Sequence, residues 1–115
     1  MRSFERRWIS LENKKARFLI GLSMKAGKIA SGEFAVEKAV KQGTAHLVIL
    51  AEDASGNTEK KFRNMCSYYR VPLVRFLDKE SLGAAIGRDY RACAAVLEEH
   101  LAEEIRQRLE EQQQQ

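Results

Sequence analysis

Apolar and polar positions along the 115-residue chain follow two alternating periods, one helical and one extended. Phe4, Trp8 and Leu11 fall at i, i+4 and i+7, which predicts a short amphipathic helix or, alternatively, a basic arm over residues 1–12. Ser10 is the expected N-cap of the next helix, which runs to Lys25 with Ala16, Leu19, Ile20 and Met24 roughly on one side and ends at Gly27. A short extended piece over 28–30 leads to Ser31-Gly32. Behind that turn, Phe34, Val36, Ala39 and Val40 interleave with Glu33, Glu37, Lys38 and Lys41 in a helical pattern stopped by Gly43.

Residues 46–51 form an aliphatic, β-branched run bounded by polar residues, the pattern of a central strand covered on both faces. Turn chemistry over 54–58 supplies several possible caps for a third helix, whose stripe is Phe62, Met65, Cys66 and Tyr69. Pro72 opens a second strand over 72–76, where a missing N–H costs no ladder bond. A short helix over 79–86 closes at Gly87, a charged loop follows over 88–91, and small residues at 92–97 make a further buried strand. Strands alternate with helices, so the expected fold class is α/β: a three-layer α/β/α sandwich on a mixed four- to five-stranded sheet, largely built by parallel crossovers. Past this domain at 13–97, Leu101, Ile105 and Leu109 stripe an acidic helix over 98–115 that dissolves into a glutamine tail; docking on the body is favoured over meeting a partner helix.

Length and 44% hydrophobic content suit one packed domain. Uninterrupted apolar runs such as 47–51 fall far short of the ~18 residues of a spanning helix, and Glu5 and Glu12 argue against a transit peptide. A cytoplasmic location without membrane contact is the expectation. Charge changes the picture more. Residues 1–42 hold ten basic and four acidic side chains, 43–76 five and three, 77–97 three of each, and 98–115 two and six. A basic body with an acidic tail favours a nucleic-acid partner over an acidic protein or a membrane.

Candidate chemistry narrows the choice. Cys66 and Cys93 lack Cys-x-x-Cys spacing and read as reduced core thiols, and His46 and His100 have no companion at metal-ligand spacing, so no metal or cofactor is expected. Gly27-Lys28 with Gly32 misses the phosphate-loop pattern because Glu33-Phe34 follows, and no Gly-x-Gly-x-x-Gly follows the 47–50 run. Glu52-Asp53 either flanks and caps the third helix or, in an enzyme, holds magnesium at a strand end; the capping reading is favoured. No catalytic residues are assigned. By contrast, Lys25, Lys28, Lys38 and Lys41 surround the Ser31-Gly32 turn, where open helix N–H groups and a missing Cβ suit an RNA backbone.

An ordered series of landmarks runs from Gly27-Lys28-Ile29 through Gly32, Val36, Lys38-Ala39-Val40 and Gly43 to residues 45–54, Cys66, Val71-Pro72-Leu73-Val74 and Leu82-Gly83-x-Ala85-x-Gly87. Over about 13–97 the chain resembles the kink-turn RNA-binding superfamily typified by ribosomal proteins L-seven-Ae and L-thirty-e, most closely its small bacterial YlxQ-like branch. The resemblance implies an α/β/α sandwich whose turn before helix two and loop before the last strand together grip kinked RNA. It places the family's glycine at Gly32 and its lysine at Lys38. The family's polar pair, which reads sheared G·A edges, falls on Phe34 and Ala35: Ala35 offers no hydrogen bond and Phe34 only a ring to stack or pack. The second loop maps to Gly87-Arg88-Asp89-Tyr90-Arg91, where many members are apolar and this chain carries two arginines and a tyrosine.

The implied site is therefore Lys28, Ser31, Gly32, Glu33, Phe34, Lys38, Lys41, Arg88, Tyr90 and Arg91. The basic residues neutralise phosphates, and Tyr90 either stacks on a base or packs over the sheet edge. The expected function is non-enzymatic binding of structured RNA, ribosomal or otherwise kinked, in a ribonucleoprotein, with no DNA partner. The alternative is a protein-interaction module that has lost kink-turn readout and recruits a partner through its C-terminal helix.

Overall fold

The computed structural model describes residues 2–113, with side chains described over 11–109. The chain orders as α1 (Arg2–Lys25), β1 (Ile29–Ser31), α2 (Glu33–Lys41), β2 (Leu47–Leu50), α3 (Gly56–Tyr69), β3 (Leu73–Arg75), α4 (Lys79–Ala85), β4 (Cys93–Val96) and α5 (Glu99–Gln113). The sheet order is β1-β4-β2-β3. Strand β4 pairs antiparallel with both β1 and β2, and only β2 and β3 pair in parallel. The sheet is mixed as expected, but the expectation of largely parallel pairing is corrected. Strands β1, β2 and β3 share one direction; β4 returns after the seven-residue α4 and inserts between β1 and β2 against that direction.

Strand alternation divides the core into the two outer layers. Leu47, Ile49, Ala94 and Val96 face α1, α4 and α5, joining Ala16, Leu19, Ile20, Leu82, Ile86, Ala102, Ile105 and Leu109. Val48, Leu50, Cys93 and Ala95 face α2 and α3, joining Val36, Ala39, Val40, Phe62 and Cys66. Each such aliphatic or aromatic side chain contributes about 1.5–3 kcal/mol when taken fully out of water. The small β4 residues let the layers approach closely. Of the α3 stripe, Phe62 and Cys66 are buried, whereas Tyr69 lies at the rim, packed edge-on against Tyr68.

Two terminal expectations change and one holds. Helix α1 runs unbroken through Ser10, so no cap divides an arm from the first helix. The stripe formed with Phe4 and Trp8 lies outside the described side chains. The α5 stripe docks: Ile105 and Leu109 are buried and Leu101 packs against the same core, which removes them as a free surface for a partner. The helix also extends two residues into the glutamine run. Where α5 crosses α1, Glu12 is buried with its carboxylate 3.2 Å from Arg108 NH1 and 3.8 Å from Lys15 Nζ. Pairing across that crossing is what lets a carboxylate leave water there.

Candidate functional site

The first loop is built by a strand that ends against β4. The Gly32 N–H donates to the Cys93 carbonyl at 3.0 Å, and the backbone then turns into α2 with φ 89° and ψ 158°. That region of backbone space is essentially reserved for glycine. Gly32 is the N-cap position of α2 and brings no side chain to it, so the N–H groups of the first turn have no intrahelical acceptor and no side-chain cap. The Val36 N–H, one turn in, returns to the Gly32 carbonyl.

The second loop is held by α4. A Cβ at Gly83 would lie 1.9 Å from the Asp89 carbonyl oxygen, so the loop can lie on α4 only where no side chain stands. The Arg88 N–H donates to the Gly83 carbonyl at 2.7 Å and the Arg91 N–H to the Lys79 carbonyl at 3.1 Å, fixing both ends of the turn. Arg91 then reaches across: its Nε donates to Ser31 Oγ at 3.4 Å, and its NH1 to the Tyr90 carbonyl at 2.7 Å.

The two loops meet in an open groove of about 460 Å³ lined by residues 31–35 and 90–92. Phe34 is 81% exposed and Tyr90 64%, so neither ring packs into the body. Behind Ala92, in the core, burial, with a smaller contribution from the Glu33 carboxylate, pushes the Cys93 thiol up to about 12. Burial likewise pushes Cys66 up to about 11. Glu33 accepts a hydrogen bond from the Thr58 hydroxyl at 3.4 Å, tying the mouth of the groove to α3.

Ser31, Gly32, Glu33, Phe34, Tyr90 and Arg91 therefore come together, with Ala35 and Ala92 completing the lining. Lys38 lies one turn beyond Phe34 on the same exposed face of α2. The other basic residues do not converge. Lys28 stands before β1 while Gly32 follows it; at about 3.3 Å per residue the two lie roughly 13 Å apart, at opposite ends of the strand. Lys41 occupies the last turn of α2, where it and Lys61 clasp Glu37 at 3.5 and 3.6 Å. Arg88 is exposed on the α4 side of its loop, outside the lining.

Asp53 corrects a further expectation. Its carboxylate accepts from the Lys79 N–H at 2.8 Å at the start of α4, whereas α3 is capped by Ser55, whose hydroxyl accepts from the Thr58 N–H. Thr58 and Gly83 are the structural residues of the site that the pattern did not single out for it. Among the described residues, no cluster of three His, Cys, Asp or Glu is placed to hold a metal, and no helix is long and apolar enough to cross a membrane.

Residues 14–105 match the model of the ribosomal protein L7Ae/L30e/S12e/Gadd45 family. The chain belongs to that family. Within the L7Ae superfamily it falls in the YlxQ-like branch. It is 40% identical over 87 residues to the RNA-binding protein YlxQ of Bacillus subtilis (strain 168), an alignment covering 76% of this chain and 87% of that protein. The RNA-binding protein YlxQ of Enterococcus faecium is 39% identical over 75 residues, covering 65% and 73%. Among solved structures, a protein of unknown function from Bacillus halodurans superposes with TM-score 0.81 at 32% identity, covering 84% of this chain and 97% of that one. The 15.5kD RNA binding protein of Giardia lamblia shares the fold, with TM-score 0.73 at 24% identity over 92% of this chain and 88% of that one.

Proposed function

We propose that the chain is a non-enzymatic RNA-binding protein that takes structured RNA, ribosomal or otherwise kinked or internally looped, into the groove between Gly32 and Tyr90. The observation that carries this reading is the meeting of the two loops, joined by Arg91, in a groove that combines open helix N–H groups, a half-buried cation and two exposed rings. The names of the YlxQ relatives support the class of partner. Phe34 and Tyr90 then stack on unpaired bases, which gives sequence-tolerant contact, while Arg91 and Lys38 neutralise phosphates. Glu33 is the one carboxylate in the lining and suits base amino groups, not phosphate. With Ala35 unable to hydrogen-bond, recognition rests on shape, stacking and backbone.

The test is a titration against a kink-turn RNA and a matched bulge-free duplex at about 50 and 200 mM salt, the range over which phosphate contacts lose their hold. A preference for the kinked RNA that survives the higher salt is the expected result. Equal, salt-sensitive binding to both would reduce the groove to a general basic surface, and no binding to either would overturn the reading.

A further inference from the structure

Helix α1 carries two stripes. The inner one, Ala16, Leu19, Ile20 and Ser23, docks on the sheet. The outer one is apolar too, yet uncovered: Leu11 is 51% exposed, Phe18 69% and Leu22 42%. With Lys15 it runs 11, 15, 18, 22, in steps of four, three and four, and the same spacing continues in sequence to Trp8 and Phe4. A 3.5-residue repeat along an exposed helix edge is the pattern of a seam for another helix. Single exposed apolar residues need no explanation, but an aligned row of them does.

Beside Phe18 lies a largely apolar groove of about 380 Å³ between α1 and α5, bounded by Leu11, Leu19, Lys14 and Lys15 on one side and Glu104 and Arg108 on the other. We propose that a second copy of this chain occupies it, the two α1 helices packing antiparallel across a two-fold axis. Two observations select this occupant. A projecting ring and a groove able to receive it sit side by side on one surface, which an isologous pair needs because each copy must offer both. The step pattern four-three-four reads the same in reverse, so antiparallel pairing sets Leu11 opposite Leu22 and Phe18 opposite Lys15, whose ammonium can lie over the ring. Helix α1 covers the sheet face opposite α2. Dimerisation therefore leaves both Gly32 grooves open, and the dimer presents two of them.

The test is sedimentation equilibrium of the full chain from about 2 to 200 µM. The expected result is a mass rising from 13.1 kDa to twice that value, with Phe18→Asp raising the dissociation constant at least tenfold while the far-ultraviolet circular dichroism stays that of the folded chain. A monomer at every concentration, or a dimer indifferent to Phe18→Asp, overturns the proposal and leaves the groove to the helix of a different protein. Orientation is read separately by mixing Leu11→Cys with Leu22→Cys chains under oxidation. Cys66 and Cys93 are buried and stay out of the reaction. A mixed disulfide between the two variants is expected; Leu11→Cys crosslinking preferentially to itself would overturn the antiparallel pairing.

Discussion

Helices α2 and α4 begin at the same end of the sheet, and their first turns are finished in opposite ways. At α4 two carboxylates close the start: Asp78 accepts from the Ser81 N–H at 2.7 Å and Asp53 from the Lys79 N–H at 2.8 Å. At α2 the cap position is Gly32, with no side chain at all. Helices α3 and α5 follow α4, closed by Ser55 and by the Glu98 carboxylate. Four orphan N–H groups at a helix start are ordinarily satisfied by some neighbour. The chain leaves them open at the one of these starts that faces the groove, and under the proposed function the two starts have different tasks: α4 supports the loop, and α2 meets the ligand.

The largest expected effect comes from the support. Gly83→Ala drives a Cβ into the Asp89 carbonyl, so the 88–91 loop must lift from α4 at a cost of about 3 kcal/mol, the upper end for overpacking. Urea unfolding measures that loss. Affinity for the RNA that the wild-type protein prefers should fall at least tenfold in the same variant; an unchanged affinity would separate the loop from the binding groove.

Gly32→Ala tests the open start itself. Nothing lies within 4 Å of the added Cβ, so no clash contributes, and the cost of about 2 kcal/mol is purely that of the backbone conformation. RNA affinity should fall with it. Asp78→Ala at the closed start should lower stability and leave RNA affinity alone, and the contrast between the two variants is the sharpest form of the comparison. Smaller again are Arg91→Ala and Lys38→Ala. Each should weaken RNA binding by about tenfold or less and lower the salt slope by roughly one, with the urea midpoint nearly unchanged. Equal slopes in wild type and both variants would move the phosphate contacts elsewhere.

How much of this was legible depended on whether the cause was local. The α3 core of Phe62 and Cys66 follows from spacing alone, and Gly32 and Gly87 mark their turns because both backbones carry positive φ. The direction of β4 was not legible, since Cys93-Ala-Ala-Val96 presents the same small residues whichever way the strand runs. Likewise, Glu12 on a polar helix gives no hint that Arg108, 96 residues away, will pair with it out of water. Only three residues lie between Lys28 and Gly32 in sequence, which groups them on paper, but an extended strand turns short sequence distance into opposite ends of a sheet. For the site, the resemblance located both loops; what joins them, Arg91 to Ser31 and Gly83 beneath Asp89, depends on contacts between distant segments that no spacing shows.

The smallest expected effect sharpens the closed side of the comparison. Hydrogen bonds from the Ser81 backbone and hydroxyl hold the Asp78 carboxyl below its ordinary 3.8. A carboxylate whose folded value is lowered stabilises the fold above its unfolded value, and that contribution is lost as pH falls through the lowered one. Asp78→Asn keeps a capping oxygen but cannot titrate. Between about pH 6 and pH 3 its urea midpoint should therefore fall less steeply than that of the wild type, Glu98 at the start of α5 remaining as a common background because its backbone hydrogen bonds lower it too. At neutral pH the same variant should bind RNA as the wild type does. If it bound more weakly, the start of α4 would belong to the interface, and the division between a supporting start and an open one would fail.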